Sequence, residues 1–196
     1  MRAYIVTLVF VSVIAVFNLK AQEPGDYDYV YTSLNKAMEN PEWVYHLDLS
    51  GGRMKDLPEE LDSFPNLITL NLSKNKISLL SPVLGSLTDL EELNLSKNNF
   101  SIIPPQIGNL KQLQKLDLSK NNIREIPGEI GELKNLEELD LWDNQIVKIS
   151  EEISGLQSLK NLNLRGNTLS NELEEKLKKW LPTTNIYFSS SCRCGF

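Results

Sequence analysis

LEELNLSKNN fills residues 90–99, and LQKLDLSKNN fills residues 113–122, so nearly the same ten letters return after 23 residues. The spacing extends in both directions. Six segments align on it, starting at Val44, Leu67, Leu90, Leu113, Leu136 and Leu159. Five open as L-x-x-L-x-L-x-x-N: LITLNLSKN, LEELNLSKN, LQKLDLSKN, LEELDLWDN and LKNLNLRGN. The first, VYHLDLSGG, has Val44 for the opening Leu and Gly52 where the others place Asn. Self-similarity at such a period is the signature of a stacked repeat architecture.

The pattern has a physical reading. Leu93 and Leu95 stand two apart, so on a strand they share one face and Asn94 takes the other. Leu90 and Phe100 point inward at the bends on either side. Asn98 falls where the chain must leave the strand, and its amide offers donors and an acceptor to main-chain groups that a curved loop would otherwise bury unpaired. Stacked copies at Asn75, Asn98, Asn121, Asn144 and Asn167 predict a ladder of such amides. Ile103-Pro104 and Ile126-Pro127 then mark a return along the opposite side, where a fixed φ and a missing N–H suit an irregular segment. One repeat buries too little apolar surface to offset the entropy of fixing its own backbone, so each must be covered by its neighbours.

These residues resemble the leucine-rich repeat family, in particular the 23-residue kind, with IPxxIGxLxxL in the return segment, found in Ras-suppressor-type and many bacterial members. The resemblance covers residues 44–181. It implies an α/β fold: a right-handed solenoid of about six repeats with a parallel sheet on its concave side and helical caps at both ends. It also implies binding of proteins or other macromolecules, with no inherent catalysis.

A solenoid exposes its core at both ends and needs caps. Residues 22–43 are expected to form the first. Within them YTSLNKAMEN (31–40) reads as a short helix with Thr32 or Ser33 as N-cap and Pro41 as its stop. Val30, Leu34, Ala37 and Met38 have helical spacing to cover the first rung together with Trp43. Tyr27, Tyr29 and Tyr31 read as part of this cap with an acidic rim, or else as a sticky patch. At the far end, SNELEEKLKKWLP predicts a helix capped by Asn171, apolar at Leu173, Leu177, Trp180 and Leu181 and halted before Pro182. Residues 182–196 then supply a last edge strand, NIYF, and a Cys-x-Cys tail.

The chain has 196 residues, 41% hydrophobic and 23% charged, with 20 basic and 26 acidic side chains. A formal charge of −6 argues against nucleic acid, which asks for clustered Lys and Arg. Residues 1–21 read as a secretory signal, with Arg2 as the positive n-region, an apolar run from Ala3 to Phe17 and Ala21 at the cleavage site. That run is shorter than the roughly 20 apolar residues that span a bilayer. The expectation is a secreted, periplasmic or extracellular product with no stable membrane insertion. A leader ending KAQ resembles those of exported Bacteroidetes proteins. Cys192 and Cys194 are the only cysteines, read as a terminal staple, a free pair or an intermolecular link.

On the concave side, columns of equivalent positions separate scaffold from information. The column between the leucines is Asp48, Asn71, Asn94, Asp117, Asp140 and Asn163. The next is Ser50, Ser73, Ser96, Ser119, and then Trp142 and Arg165. Beyond it come Gly51, Lys74, Lys97, Lys120, Asp143 and Gly166. A large indole in place of serine singles out Trp142, since aromatic and Arg residues are enriched at binding hot spots. The candidate partner-binding patch is Trp142 as anchor with Lys115, Lys120, Glu138, Asp140, Asp143 and Arg165 around it, over rungs four to six. The competing reading is a surface Trp packed on Arg165 by a cation–π contact.

Enzyme readings find little support. His46 is the only histidine and has no Gly-flanked nucleophile turn beside it. Paired carboxylates such as Glu138 and Asp140 lie on a solvated face that would not separate their pKa values. No P-loop, dinucleotide fingerprint or Cys/His set is present, so no cofactor and no metal are expected. The favoured function is an exported module that binds a protein partner. A glycan-binding protein using Trp142 as its platform, and an assembly piece joined through its edge rungs, are the alternatives.

Overall fold

The first leucine of each L-x-L pair is the buried centre of a three-residue strand whose outer residues face away from the core. The structure, a computed structural model, describes residues 25–189. In chain order the elements are β1 (Val30–Tyr31), α1 (Leu34–Ala37), β2 (His46–Asp48), β3 (Thr69–Asn71), β4 (Glu92–Asn94), β5 (Lys115–Asp117), β6 (Glu125–Ile126), β7 (Glu138–Asp140), β8 (Lys148–Ile149), β9 (Asn161–Asn163), α2 (Asn171–Trp180) and β10 (Asn185–Tyr187). Eight strands form one all-parallel sheet in the order β1-β2-β3-β4-β5-β7-β9-β10. From β2 to β9 each strand meets the next in the repeat register, as Leu70 does with Leu93 and Leu116 with Leu139. The fold is therefore an α/β solenoid with the sheet along one side.

On the opposite side, five-residue 3-10 helices at Glu59–Ser63, Pro82–Ser86, Pro105–Asn109, Gly128–Glu132 and Glu151–Gly155 carry the return. Their inward residues Leu61, Leu84, Ile107, Ile130 and Ile153 are fully buried. The turns approach closely enough that a Cβ on Gly131 would lie 1.9 Å from the Glu152 carbonyl oxygen. The return is also more regular than the prolines suggest. β6 and β8 pair as a second, two-stranded parallel sheet, with Ile126 and Ile149 buried and Lys148 bonded to Glu125 across it.

The amide ladder explains what joins rung to rung. Asn98 Nδ2 donates to Leu95 O of its own rung at 3.1 Å and to Leu72 O of the rung before at 2.9 Å. Its Oδ1 accepts the Ile77 N–H, also of the rung before, at 3.1 Å. Asn75, Asn121, Asn144 and Asn167 repeat the arrangement. All five are only 6–7% exposed. The first rung has no repeat before it to serve, which accounts for Gly52 in place of Asn.

Both caps differ in detail from the sequence reading. Residues 30–31 join the sheet rather than the helix, with Val30 opposite His46 and Tyr31 opposite Leu47. Strand alternation then buries Tyr31 to 2% exposure and leaves Val30 exposed. The helix shrinks to α1 with Ser33 as N-cap, and Pro41 opens a 3-10 turn, Pro41–Trp43, instead of merely ending a helix. Ala37 is buried and Leu34 half-buried, whereas Met38 and Trp43 are exposed. At the other end the N-cap of α2 is Ser170, one residue before the expected Asn171, and its Oγ accepts the Leu173 N–H at 3.2 Å. Leu177 and Leu181 enter the core with Leu173 and Trp180 packed against it. The signal segment and the Cys192/Cys194 tail lie outside the described residues.

Candidate interaction surface

The concave face is set by the strands, because alternate residues of each strand point out from it. In every rung the Asp or Asn between the leucines accepts, through Oδ1, the backbone N–H two residues on. The distances are 2.8 Å from Asp48 to Ser50, 3.0 Å from Asn71 to Ser73, 2.9 Å from Asp117 to Ser119 and 2.8 Å from Asp140 to Trp142. Such Asx bonds end a strand and turn the chain. This column is thus part of the scaffold, a role the restriction to Asp and Asn already hinted at. Some members also tie rungs together: Asn71 Nδ2 donates to Asp48 at 3.0 Å and Asn163 Nδ2 to Asp140 at 3.1 Å.

After the turn the backbone is left-handed. Lys74, Lys97, Lys120 and Asp143 have φ of 55–56°, at positions equivalent to Gly51 (φ 70°) and Gly166 (φ 76°). The lysine column therefore sits at a corner of the solenoid and not on the floor of the sheet. The serine column is tucked beside it, with Ser73, Ser96 and Ser119 buried, whereas Trp142 in the same column is 40% exposed.

A shallow hollow of about 390 Å³ lies on the concave face of rungs two to five, lined by Thr69, Asn71, Glu92, Asn94, Lys115, Asp117, Glu138 and Asp140. Of the expected patch it brings together Lys115, Glu138 and Asp140. Trp142, Arg165, Asp143 and Lys120 lie beyond it. Lys115 bonds Glu92 at 2.6 Å, on the side away from Glu138. The hydrogen bond and charge of Glu92 raise the Lys115 pKa, desolvation opposes them, and Glu138 and Glu137 add smaller upward effects. With Lys115 engaged, Asp117, Glu138 and Asp140 leave the hollow acidic, and Asp117 and Asp140 face each other in register.

The competing reading, Trp142 stacked on Arg165, does not match the contacts found. Lys120 Nζ lies 4.5 Å from the Trp142 ring centroid, and Arg165 lies 5.4 Å from the Tyr187 ring with its Nε on Asn163 Oδ1 at 3.0 Å. Each cation sits over an aromatic 22 residues later, one short of the repeat, so straight columns of equivalent positions separate the partners. Reading the sequence diagonally would have joined them. At the opposite end of the face, Tyr27 is exposed against Tyr45 and His46, with centroids at 4.9 and 5.5 Å, while Tyr29 packs on the buried Tyr31. The three tyrosines thus divide between surface and cap. Among the described residues no group of three or more His, Cys, Asp or Glu is arranged to hold a metal ion, and no helix is long and apolar enough to cross a membrane.

Parallel rungs, a buried amide ladder and an open polar face define a stacked binding scaffold. Residues 111–169 match the family model described as leucine rich repeat, and residues 65–105 and 88–129 match that described as leucine rich repeats (2 copies). The chain belongs to the leucine-rich repeat family. Domains of this family generally mediate protein–protein contact rather than catalysis. Among solved structures it is similar to an LRR protein of Leptospira interrogans, with 35% identity and a TM-score of 0.66, over 83% of this chain and 47% of that one. It is also similar to the plant peptide hormone receptor RGFR1 in complex with RGF2, with 31% identity and a TM-score of 0.56, over 68% of this chain and 22% of that one. The chain therefore spans about half the length of the Leptospira protein and about a fifth of the receptor. A search of curated proteins gave no significant match.

Proposed function

We propose that this chain is an exported binding module that takes a segment of a protein partner along its concave face. The observation that carries this is the acidic hollow beside Trp142. Asp117, Glu138 and Asp140 line the hollow, while two residues past Asp140 an exposed indole takes the place that a buried serine holds in rungs two to four. Charge complementarity selects partner segments rich in Lys and Arg, and the indole supplies apolar area of the kind that dominates interface energetics. The similarity to a peptide hormone receptor in complex with its peptide supports the same reading. Export rests on the apolar leader in residues 1–21. The glycan alternative needs an open aromatic face, and Lys120 already lies over that of Trp142.

The test is selection of a random peptide display library on the immobilised protein, followed by affinity measurement of synthetic peptides from it. Enriched peptides should be basic. The Trp142→Ser/Arg165→Ser variant, which restores the plainer column, should weaken them by about 30-fold, the scale of a hot-spot loss. Glu138→Lys should weaken them further at low salt than at high salt. Selection of neutral or acidic peptides, or unchanged affinity in the double variant, would refute the assignment.

A further inference from the structure

The cations of the first three rungs are unneutralised and lie close together. All six ion pairs among the described residues use lysines from Lys111 onward. Arg53, Lys55, Lys74, Lys76 and Lys97 have no carboxylate partner among the described residues. These five lie where rungs one to three leave the sheet, turn the left-handed corner and start back. Over the equivalent stretches 51–57, 74–80 and 97–103 the sequence holds those five cations and a single acid, Asp56, in a chain whose formal charge is −6. Parallel strands repeat at about 4.8 Å, so the cations form a compact strip along one edge of the solenoid, apart from the concave hollow.

The same edge carries apolar side chains that the core does not require. Leu79 is 69% exposed and Ile102 is 67% exposed, at equivalent positions of rungs two and three. Their neighbours Ile77 and Phe100 already fill the interior. In rungs four and five the same position holds Glu125 and Lys148, which pair with each other. The fold thus accepts charge there, and rungs two and three present bare aliphatic groups beside unneutralised cations.

The geometry points to this edge as a docking surface for an anionic lipid bilayer. Cations at the headgroup level gain from the surface potential, and short aliphatic groups between them reach the boundary with the acyl chains. A soluble polyanion would use the cations but leave Leu79 and Ile102 in water. No helix enters the membrane in this arrangement. The attachment is peripheral and salt-sensitive, since exposed charges are screened within about 8 Å at physiological ionic strength.

The experiment is flotation of the full chain with vesicles of phosphatidylcholine alone and of phosphatidylcholine with 30% phosphatidylglycerol, at low and physiological salt. Residues 1–21 hold an apolar run and two cations of their own, Arg2 and Lys20, so the readout is the ratio of binding between the two vesicle types, compared between wild type and variants that share this leader. The expected result is preference for the anionic vesicles that falls with salt. Lys74→Gln/Lys76→Gln/Lys97→Gln should lower that preference by about 100-fold, at roughly fivefold per cation near such a surface. These side chains are unpaired, and circular dichroism should show the variant folded. Leu79→Ser/Ile102→Ser should weaken vesicle binding while leaving retention on a heparin column unchanged. Equal binding to both vesicle types overturns the proposal. So does a serine variant that floats like the wild type, which would make the strip a site for soluble polyanions.

Discussion

Asn121→Ala removes one amide from the middle of the ladder, and its consequence can be worked out atom by atom. Asn121 Nδ2 donates to Leu118 O at 3.0 Å and Leu95 O at 3.1 Å, and its Oδ1 accepts the Phe100 N–H at 3.1 Å. The side chain is 7% exposed and Phe100 is fully buried, so the Phe100 N–H loses its partner without gaining bulk water. Leu95 O and Leu118 O each lose one of two amide donors and keep the other, from Asn98 and Asn144. An orphaned buried polar group costs about 1–3 kcal/mol. With two further hydrogen bonds lost at about 0.5–1.5 kcal/mol each, and allowing for relaxation, the variant should lose about 2–4 kcal/mol, or about 4–16 °C in Tm for a chain of this size. Asn121→Asp should be no better, since it keeps the acceptor for Phe100 but turns an anionic oxygen toward two carbonyls. Denaturant unfolding followed by circular dichroism measures the loss, and hydrogen exchange should show the Phe100 amide losing protection first. The opposite control is Gly52→Asn in the first rung, which should gain less than about 1 kcal/mol because no preceding repeat needs its amide. A variant at position 121 within about 1 kcal/mol of the wild type, or a Phe100 amide that exchanges as slowly as before, would refute the reasoning.

Gly131→Ala places a methyl 1.9 Å from the Glu152 carbonyl oxygen and should cost about 3 kcal/mol in thermal unfolding. Gly128→Ala meets only the flexible Glu152 side chain at 3.4 Å and should cost under about 1 kcal/mol, so equal losses would disprove the stacking argument. Lys97→Gly relaxes a residue at φ 55° and should raise stability by up to about 1 kcal/mol in the same assay, the relief being partly offset by the freer unfolded chain. Acidification should destabilise the protein through exposed ion pairs. The pKa values of Glu132, Glu172 and Glu175 are lowered, first by hydrogen bonds to Lys111, Lys176 and Lys178 and then by their charge. A folded-state pKa below the unfolded one gives stability present above the usual carboxylate range and lost as pH falls through the folded value. Replacing the three by Gln should flatten Tm between neutral pH and about pH 3, and an unchanged slope would count against these pairs.

The rungs were legible because the same constraint is written several times, and any one copy corrects the others. Leu93 and Asn98 mean little alone, but Leu116 and Asn121 repeat them at the same offset. The caps occur once each and were read only coarsely. Helical spacing at Val30, Leu34 and Ala37 was real, yet pairing with β2 overrode it for residues 30–31, since an open sheet edge gains more from a strand than from another helical turn. The candidate surface was legible as an oddity at Trp142, not as an arrangement. Its contacts run diagonally, Lys120 to Trp142 and Arg165 to Tyr187, across the columns in which the sequence was read. The left-handed corner was announced by Gly51 and Gly166, and the intervening lysines concealed it.

The amide ladder has a direction. Every Asn closes groups of the repeat before it, so a turn is finished only by residues synthesised some twenty positions later. A chain emerging from the ribosome would therefore always carry one incomplete coil at its growing end. Trimming repeats from opposite ends would also have unlike consequences: loss from the front leaves an amide holding only its own coil, whereas loss from the back strips the last remaining coil of its clasp.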